Sequence, residues 1–437
     1  MSGEPAAGEP VSGGPVSGRL EITEVVVTPV AFPDPPLLNA VGVHQPWALR
    51  AVVEVRTGDG PIGLGETYGD DDHLDLLRRA AAALPGTDVF DLAAAYRRVA
   101  RAVGAVDAPD AHGLTGPSSP AKTLLRVWSP FEVAALDAQG QAIGRPVHAL
   151  LGGAHRDRIP YSAYLFYKWA GHPGAEPDEW GEALDPAGIV AQARRLVDRY
   201  GFGSVKLKGG VFPPEEEIAA IEALRDAFPG HPLRLDPNGA WSVATSLRVA
   251  ERTEGLLEYL EDPTEGIAGM ARVAAGTPTP LATNMCVIGF DDIPEAFARR
   301  AVGVVLADHH YWGGLRRSAE LAAICRTWGV GVSMHSNSHL GISLAAMTHL
   351  AAATPNLAYA ADTHTPWQSG VDVVERPLEI SDGAVTVPAL PGLGVRLDRD
   401  ALARMHEDYL RCGLRRRDDT GYLRRFEPDY ERRRPRW

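Results

Sequence analysis

The chain has 437 residues, 45% of them hydrophobic, and a formal net charge of -13 at pH 7; it can build a large core, and with basic residues concentrated only in the C-terminal stretch it is a poor candidate for binding nucleic acid. Cys286, Cys325 and Cys412 are few and widely spaced, which excludes a disulfide framework or cysteine metal cluster and fits a reducing, cytoplasmic setting. No apolar run of about 18 residues offers a membrane span, and the N-terminus has no signal-peptide core.

Residues 1–18 are rich in Gly, Pro and Ser and read as a disordered tail. Strands are predicted at 20–32, 48–56 and 62–65. Between the first two lies a Pro-rich loop, 33–47, carrying Asn39 and His44. Long loops between strands often carry function, although spacing alone favours a plain surface excursion. Helical patterns follow at 72–84, 89–103 and 130–140, with a loop at 105–122, so this part is an α+β segment.

From Ile159 the rhythm becomes strand and helix in alternation. Strands are predicted at 161–167, 204–208, 233–236, 257–261, 279–283, 303–307, 331–335 and 356–361. Helices fall between them at 186–200, 214–228, 243–254, 267–275, 293–300, 315–328 and 340–353. Asp185-Pro186 supplies an N-cap and a first-turn proline for the first of these helices. Eight strands separated by seven helices predict an α/β fold, a (β/α)7β TIM-like barrel. Extended pieces at 377–387 and 392–398 and a helix at 399–413 follow. The expected division is a tail (1–18), an α+β capping domain (19–155), a barrel (156–390) and a C-terminal segment returning to the cap (391–437).

The barrel gives meaning to one stretch, Val205-Lys206-Leu207-Lys208-Gly209-Gly210. Alternate residues of a strand share a face, so Lys206 and Lys208 point together. Alone, such a pair reads as solvated lysines on an edge strand. In a barrel, however, Lys206 and Lys208 end strand two, Asp236 ends strand three and Glu261 ends strand four. Asn284 follows strand five, Asp308 follows strand six and His335 ends strand seven. Any one of these is explained as a helix cap. Six consecutive strands ending this way point to the C-terminal mouth, where barrel enzymes assemble their chemistry.

Asp236, Glu261 and Asn284 are hard oxygen donors without Cys or His, a set suited to Mg2+. Neighbouring cations disfavour a charged lysine, so Lys208 is the candidate base on one side. His335, oriented by Asp308, is the candidate base on the other. Two bases across a divalent cation fit removal of a proton next to a carboxylate, with the metal stabilising the enediolate.

These motifs resemble the enolase superfamily and, within it, the glucarate dehydratase family. The carrying stretches are Lys206-Leu207-Lys208-Gly209-Gly210-Val211, Leu235-Asp236-Pro237-Asn238-Gly239-Ala240-Trp241 and Glu261-Asp262-Pro263. Further matches are Ala282-Thr283-Asn284-Met285, Leu306-Ala307-Asp308, His335-Ser336-Asn337 and Asp362-Thr363-His364. The resemblance implies Mg2+ on Asp236, Glu261 and Asn284, Lys208 and the His335–Asp308 pair as bases, and Lys206 beside the substrate carboxylate. It also implies substrate contacts from His44, Thr115, Tyr164, Asn238, Ser336, Asn337, His364 and Arg434. For His44 and Thr115 a plain loop position is an equal alternative. The implied reaction is loss of water from D-glucarate, and from L-idarate, giving 5-dehydro-4-deoxy-D-glucarate. Alternatives are a dehydratase or epimerase for another acid sugar such as galactarate, or a barely active relative serving as a binding partner. The implied partner is a small hexarate, and relatives of this kind are often homo-oligomers. Two stretches depart from the family: Ser338-His339-Leu340-Gly341, where it has Asn-His-Phe-Asp, and Trp312-Gly313-Gly314-Leu315, where it has Trp-Thr-Met-Gln. Both flank the His335–Asp308 pair and bear on substrate preference.

Overall fold

A computed structural model of the protein describes residues 19–110, 114 and 116–437. The expected tail 1–18 and Thr115 lie outside the described residues. Strands β1 (Glu24–Pro33), β4 (Trp47–Arg56) and β5 (Ile62–Tyr68) form an antiparallel sheet in the order β1-β4-β5. The third strand runs beyond Gly65 to Tyr68. The stretch expected as a loop contains a small hairpin, β2 (Leu38–Asn39) with β3 (Gly42–Val43).

Helices α1 (Asp71–Ala83), α2 (Leu92–Val103) and α3 (Pro120–Ala142) follow. The third starts ten residues before its expected start. Ser119 caps it by accepting from the Lys122 N–H, and Pro120 occupies the first turn. Pro130, which read as a helix start, sits inside the helix. There its missing N–H removes one helical bond, and β5 packs so closely that a side chain at Gly65 would meet the Pro130 carbonyl at 2.1 Å. A short helix α4 (Val147–Leu150) and strand β6 (Arg158–Pro160) lead to the barrel.

The barrel staves are β7 (Ala163–Phe166), β8 (Val205–Lys208), β9 (Leu233–Asp236), β10 (Leu257–Glu261), β11 (Leu281–Thr283), β12 (Val304–Ala307) and β13 (Gly331–Met334), parallel and paired in chain order. Helices α5 (Pro186–Tyr200), α6 (Pro214–Ala227), α7 (Val243–Arg252), α8 (Gly266–Ala274), α9 (Ile293–Ala298), α10 (His309–Trp312), α11 (Leu315–Trp328) and α12 (Gly341–Ala353) lie between and after them. Asp185 caps α5 as predicted, accepting from Gly188 N–H at 2.7 Å. Ile189, Ala193 and Leu196 are fully buried on its inner stripe, and the two larger side chains contribute about 1.5–3 kcal/mol each.

The expected eighth strand, 356–361, is not a regular strand. Leu357 bridges Val332, and Ala361 bridges Tyr161. Ala358 N–H donates to Val332 C=O and Ser162 N–H to Ala361 C=O, so this segment closes the ring between β13 and the entry to β7. Its pairing is too intermittent for a continuous ladder. After the barrel, β14 (Ile380–Ser381) and β15 (Ala384–Thr386) pair antiparallel with β6. Residues 392–398, expected as extended, make only single bridges, Gly392 to Pro146 and Leu397 to Val374. Helix α13 (Arg399–Arg411) lies against β1, and α14 (Asp419–Leu423) against β3.

Candidate active site

Lys206 and Lys208 end β8, where the register sets Tyr164 and Arg234 beside Lys206, and Asp236 beside Lys208. Both lysines are buried, Lys206 completely. The edge-strand alternative is thereby excluded. Lys206 Nζ lies 2.6 Å from Glu261 Oε2, 2.7 Å from Asp362 Oδ2 and 3.6 Å from Asp236 Oδ2. Its fourth side is the face of the Tyr164 ring, 4.6 Å away, a cation–π contact. Burial works against the ammonium, but Asp362 and Glu261 hold it charged well above the usual lysine range. Lys208 Nζ lies 2.7 Å from Asp236 Oδ2. Burial opposes ionisation of Asp236 too, yet Lys208 and Lys206 keep its carboxyl at about 2.

The turn after Lys208 is fixed by Glu217 of α6, whose carboxylate accepts from the N–H groups of Gly210, Val211 and Phe212. Gly209 is needed there, since a Cβ would stand 2.5 Å from Glu217 Oε2, and Gly210 has φ +76°.

Hard oxygens gather at the ends of β9, β10 and β11. Both Glu261 carboxylate oxygens, Asn284 Oδ1 and Asn238 Oδ1 are buried and receive no aligned hydrogen bond. Burial and then the Asp236 charge push the Glu261 carboxyl well above its usual range. Orphaned acceptors and crowded carboxylates are what a divalent cation would satisfy, so this donor set fits Mg2+. Asp262 orients the set from behind, accepting from Thr283 Oγ1 at 2.5 Å and Asn284 N–H at 2.8 Å. Burial raises Asp262 to about 7. Asn238 (φ 49°) and Asp262 (φ 36°) both hold left-handed backbone, strain of the kind that collects at functional sites.

On the other side, Asp308 Oδ2 lies 3.0 Å from His335 Nδ1. Its Oδ1 lies 2.7 Å from His310 Nδ1. Asp308, His309 and His310 also bring three ligand-type atoms within 4.8 Å of one another. They do not suit a cation: His310 Nδ1 is taken by Asp308, and Arg50 Nη2 lies 3.0 Å from its Nε2.

Lys208, Asn238, Asn284, His335, Asn337 and His364 line one cavity of about 20 Å3, with His44 and Tyr164 on its wall. His44 Nδ1 lies 3.0 Å from Asp34 Oδ2. Ser336 Oγ lies 3.1 Å from His364 Nδ1, and Asn337 Nδ2 donates to Tyr68 OH at 2.9 Å. Arg434 is not on this cavity. Its Nη1 lies 3.4 Å from Glu265 Oε1, and it lines a separate space of about 850 Å3 beyond Met285. The arginine that reaches the site is Arg417, held by paired contacts of 2.8 and 2.7 Å to Asp419. Spacing could not choose among the many arginines of the C-terminal stretch, since Arg416 and Arg417 are each followed two positions on by an Asp. Asp362 was also missed, although its stretch carried the resemblance. It follows the irregular eighth stave and braces Lys206.

Fold and site together define a capped (β/α) barrel with its polar residues gathered at the strand ends. A family model described as enolase C-terminal domain-like matches residues 188–401. A probable glucarate dehydratase of Streptomyces coelicolor is 58% identical over 423 residues, covering 94% of this chain and 97% of that protein. The crystal structure of an enolase from Thermobispora bispora complexed with magnesium and formate is similar at 66% identity and TM-score 0.94, covering 96% of this chain and 100% of the other. An enolase from Pseudomonas fluorescens with bound magnesium, potassium and tartrate is similar at 50% identity and TM-score 0.92, covering 95% and 99%. The chain belongs to the enolase superfamily and, within it, to the glucarate dehydratase family of acid-sugar hydro-lyases.

Proposed function

We propose that the protein is a Mg2+-dependent glucarate dehydratase, converting D-glucarate and L-idarate to 5-dehydro-4-deoxy-D-glucarate. The carrying observation is that Lys208 and His335 line one cavity together with Asn284 and Asn238, whose buried amide oxygens, like Glu261 Oε1, have no hydrogen-bond partner. The name of the Streptomyces relative, the magnesium of the Thermobispora structure and the tartrate (a hydroxy diacid) of the Pseudomonas structure support the reading.

Asp236, Glu261 and Asn284 would hold the metal, which when bound supplies positive charge for the carboxylate whose α-carbon loses a proton. Lys206, kept charged by Asp362 and Glu261, would contribute positive charge from behind Asp236 and Glu261, and its contact with that carboxylate is proposed on the resemblance alone. Lys208 or His335, according to the configuration of the carbon, takes the α-proton. The bond to the hydroxyl on the adjacent carbon breaks, and that oxygen leaves as water after gaining a proton. The enol left behind tautomerises to the ketone. Arg417, which lines the cavity with His44 and His364, would meet the far carboxylate. Asn238 and Asn337, which line the cavity, would bind hydroxyls, Ser336 would act through its contact with His364, and Thr115 is proposed on the resemblance alone.

The reading also carries the domain division at about residues 18, 155 and 390, and a cytoplasmic location. No helix among the described residues is long and apolar enough to cross a membrane. Lys208→Ala and His335→Asn should each abolish dehydration of the substrate whose α-proton that residue takes. Exchange of the α-proton with deuterated solvent should stop when Mg2+ is chelated; exchange that persists would overturn the mechanism.

A further inference from the structure

The bonds around Asp308 extend past the His335 pair into the capping sheet. Asp308 Oδ1 accepts from the His310 N–H at 2.9 Å and faces His310 Nδ1 at 2.7 Å. His310 Nε2 lies 3.0 Å from Arg50 Nη2 and 2.9 Å from Ser343 Oγ. Arginine can only donate. Nε2 must therefore carry a lone pair, and the ring proton must sit on Nδ1, directed at Asp308. Arg50 is itself fixed, with Nε 2.9 Å from Glu66 Oε1 and its guanidinium over the Tyr68 ring at 4.5 Å. Glu66 accepts in turn from the N–H groups of Leu340 and Ser343 at the start of α12.

We propose that His310, locked in one tautomer by Arg50, is a positioning residue that shares the Asp308 carboxylate with His335 and so limits how strongly Asp308 stabilises the His335 imidazolium. Two ring donors on one carboxylate divide its hydrogen-bonding capacity. An undivided Asp308 would hold the proton on His335 longer, slowing its return to substrate or product.

The groups facing His310 leave few other causes for a pH effect. His309 stacks on it at 4.0 Å, and His73 and His339 approach from α1 and from the segment before α12. Burial lowers all three, His339 to about 4 and the other two well below the usual histidine range. Tyr68 and Tyr311 are both raised by burial. Its charged neighbours include Arg50 and Asp308, with Glu66 behind Arg50 and Asp110 acting on Tyr68 and Tyr311. Across the cavity, His335 meets His364, lowered by burial, and Lys208.

The inference rests on His335 acting as a base, and two measurements separate the claims. In protein labelled with 15N-histidine, His310, assigned by its disappearance in His310→Phe, should show a protonated Nδ1 and a bare Nε2 near neutral pH. A protonated Nε2 would overturn the proposal, whatever the activity. In His310→Phe, the acid limb of kcat/KM for hexarate dehydration with Mg2+ should move up by about one pH unit, while His310→Asn, which keeps a donor near Asp308, should stay close to the native profile. A folded His310→Phe enzyme with the native acid limb would overturn it. Full turnover in His335→Asn would instead sink the two-base reading.

Discussion

Lys206 Nζ and Glu261 Oε2 lie 2.6 Å apart, and neither side chain has any exposed surface. A lysine in that setting is an electrostatic anchor, because Asp362 on its other side keeps the proton in place. Lys206→Met should therefore leave three carboxylates facing one another. The expected cost in metal-free protein is about 3–5 kcal/mol of stability, read by chemical denaturation, with part of it recovered on adding Mg2+. The variant should also lose about 10²–10³-fold in kcat.

Glu217 makes a pH prediction. Burial raises its carboxyl from the usual range to about 7, against the three backbone N–H groups it accepts. The folded chain therefore binds a proton that the unfolded chain releases above its own, lower value. By linkage, this group's contribution to stability is greatest below about 4.5 and falls as the pH rises through about 7. Glu217→Gln should remove that slope, which thermal melts between pH 4.5 and 7.5 would show as a smaller loss of Tm than in the native protein. It should also lower kcat, since Glu217 fixes the turn after Lys208.

Arg417 and Arg434 make opposite predictions. Substituting Arg417 with Met should raise KM for a hexarate about 10–100-fold, the loss of a charged hydrogen bond. Arg434→Met should leave KM unchanged, because its side chain faces another cavity. Steady-state kinetics on both variants would distinguish them.

Asp262 touches no proposed substrate atom, but it holds the backbone of Asn284. Asp262→Ala should weaken Mg2+ binding about 10–100-fold, as loss of a ligand-orienting partner commonly does. Titration calorimetry would measure it.

Much of the barrel was legible because strand and helix periods alternate from Ile159 onward, and because the polar residues sit at the strand ends. Less legible were features set by tertiary contact. The start of α3 was misplaced because Pro130 looks like a boundary, whereas close packing against β5 keeps it inside the helix. The eighth stave looked regular in sequence but closes the barrel through single bridges at Leu357 and Ala361. Arg417 was indistinguishable from its arginine neighbours until α14 placed Asp419 beside it. The Arg50–His310–Asp308 chain joins residues from β4, α10 and the end of β12, so no sequence window contains it.

The central claim is dehydration of a hexarate with Mg2+. The direct measurement is a panel of D-glucarate, L-idarate and galactarate incubated with purified protein, with the keto-deoxy product detected before and after chelation. The account predicts product from D-glucarate and L-idarate that disappears with the metal. Absence of product from both substrates in the presence of Mg2+ would contradict it.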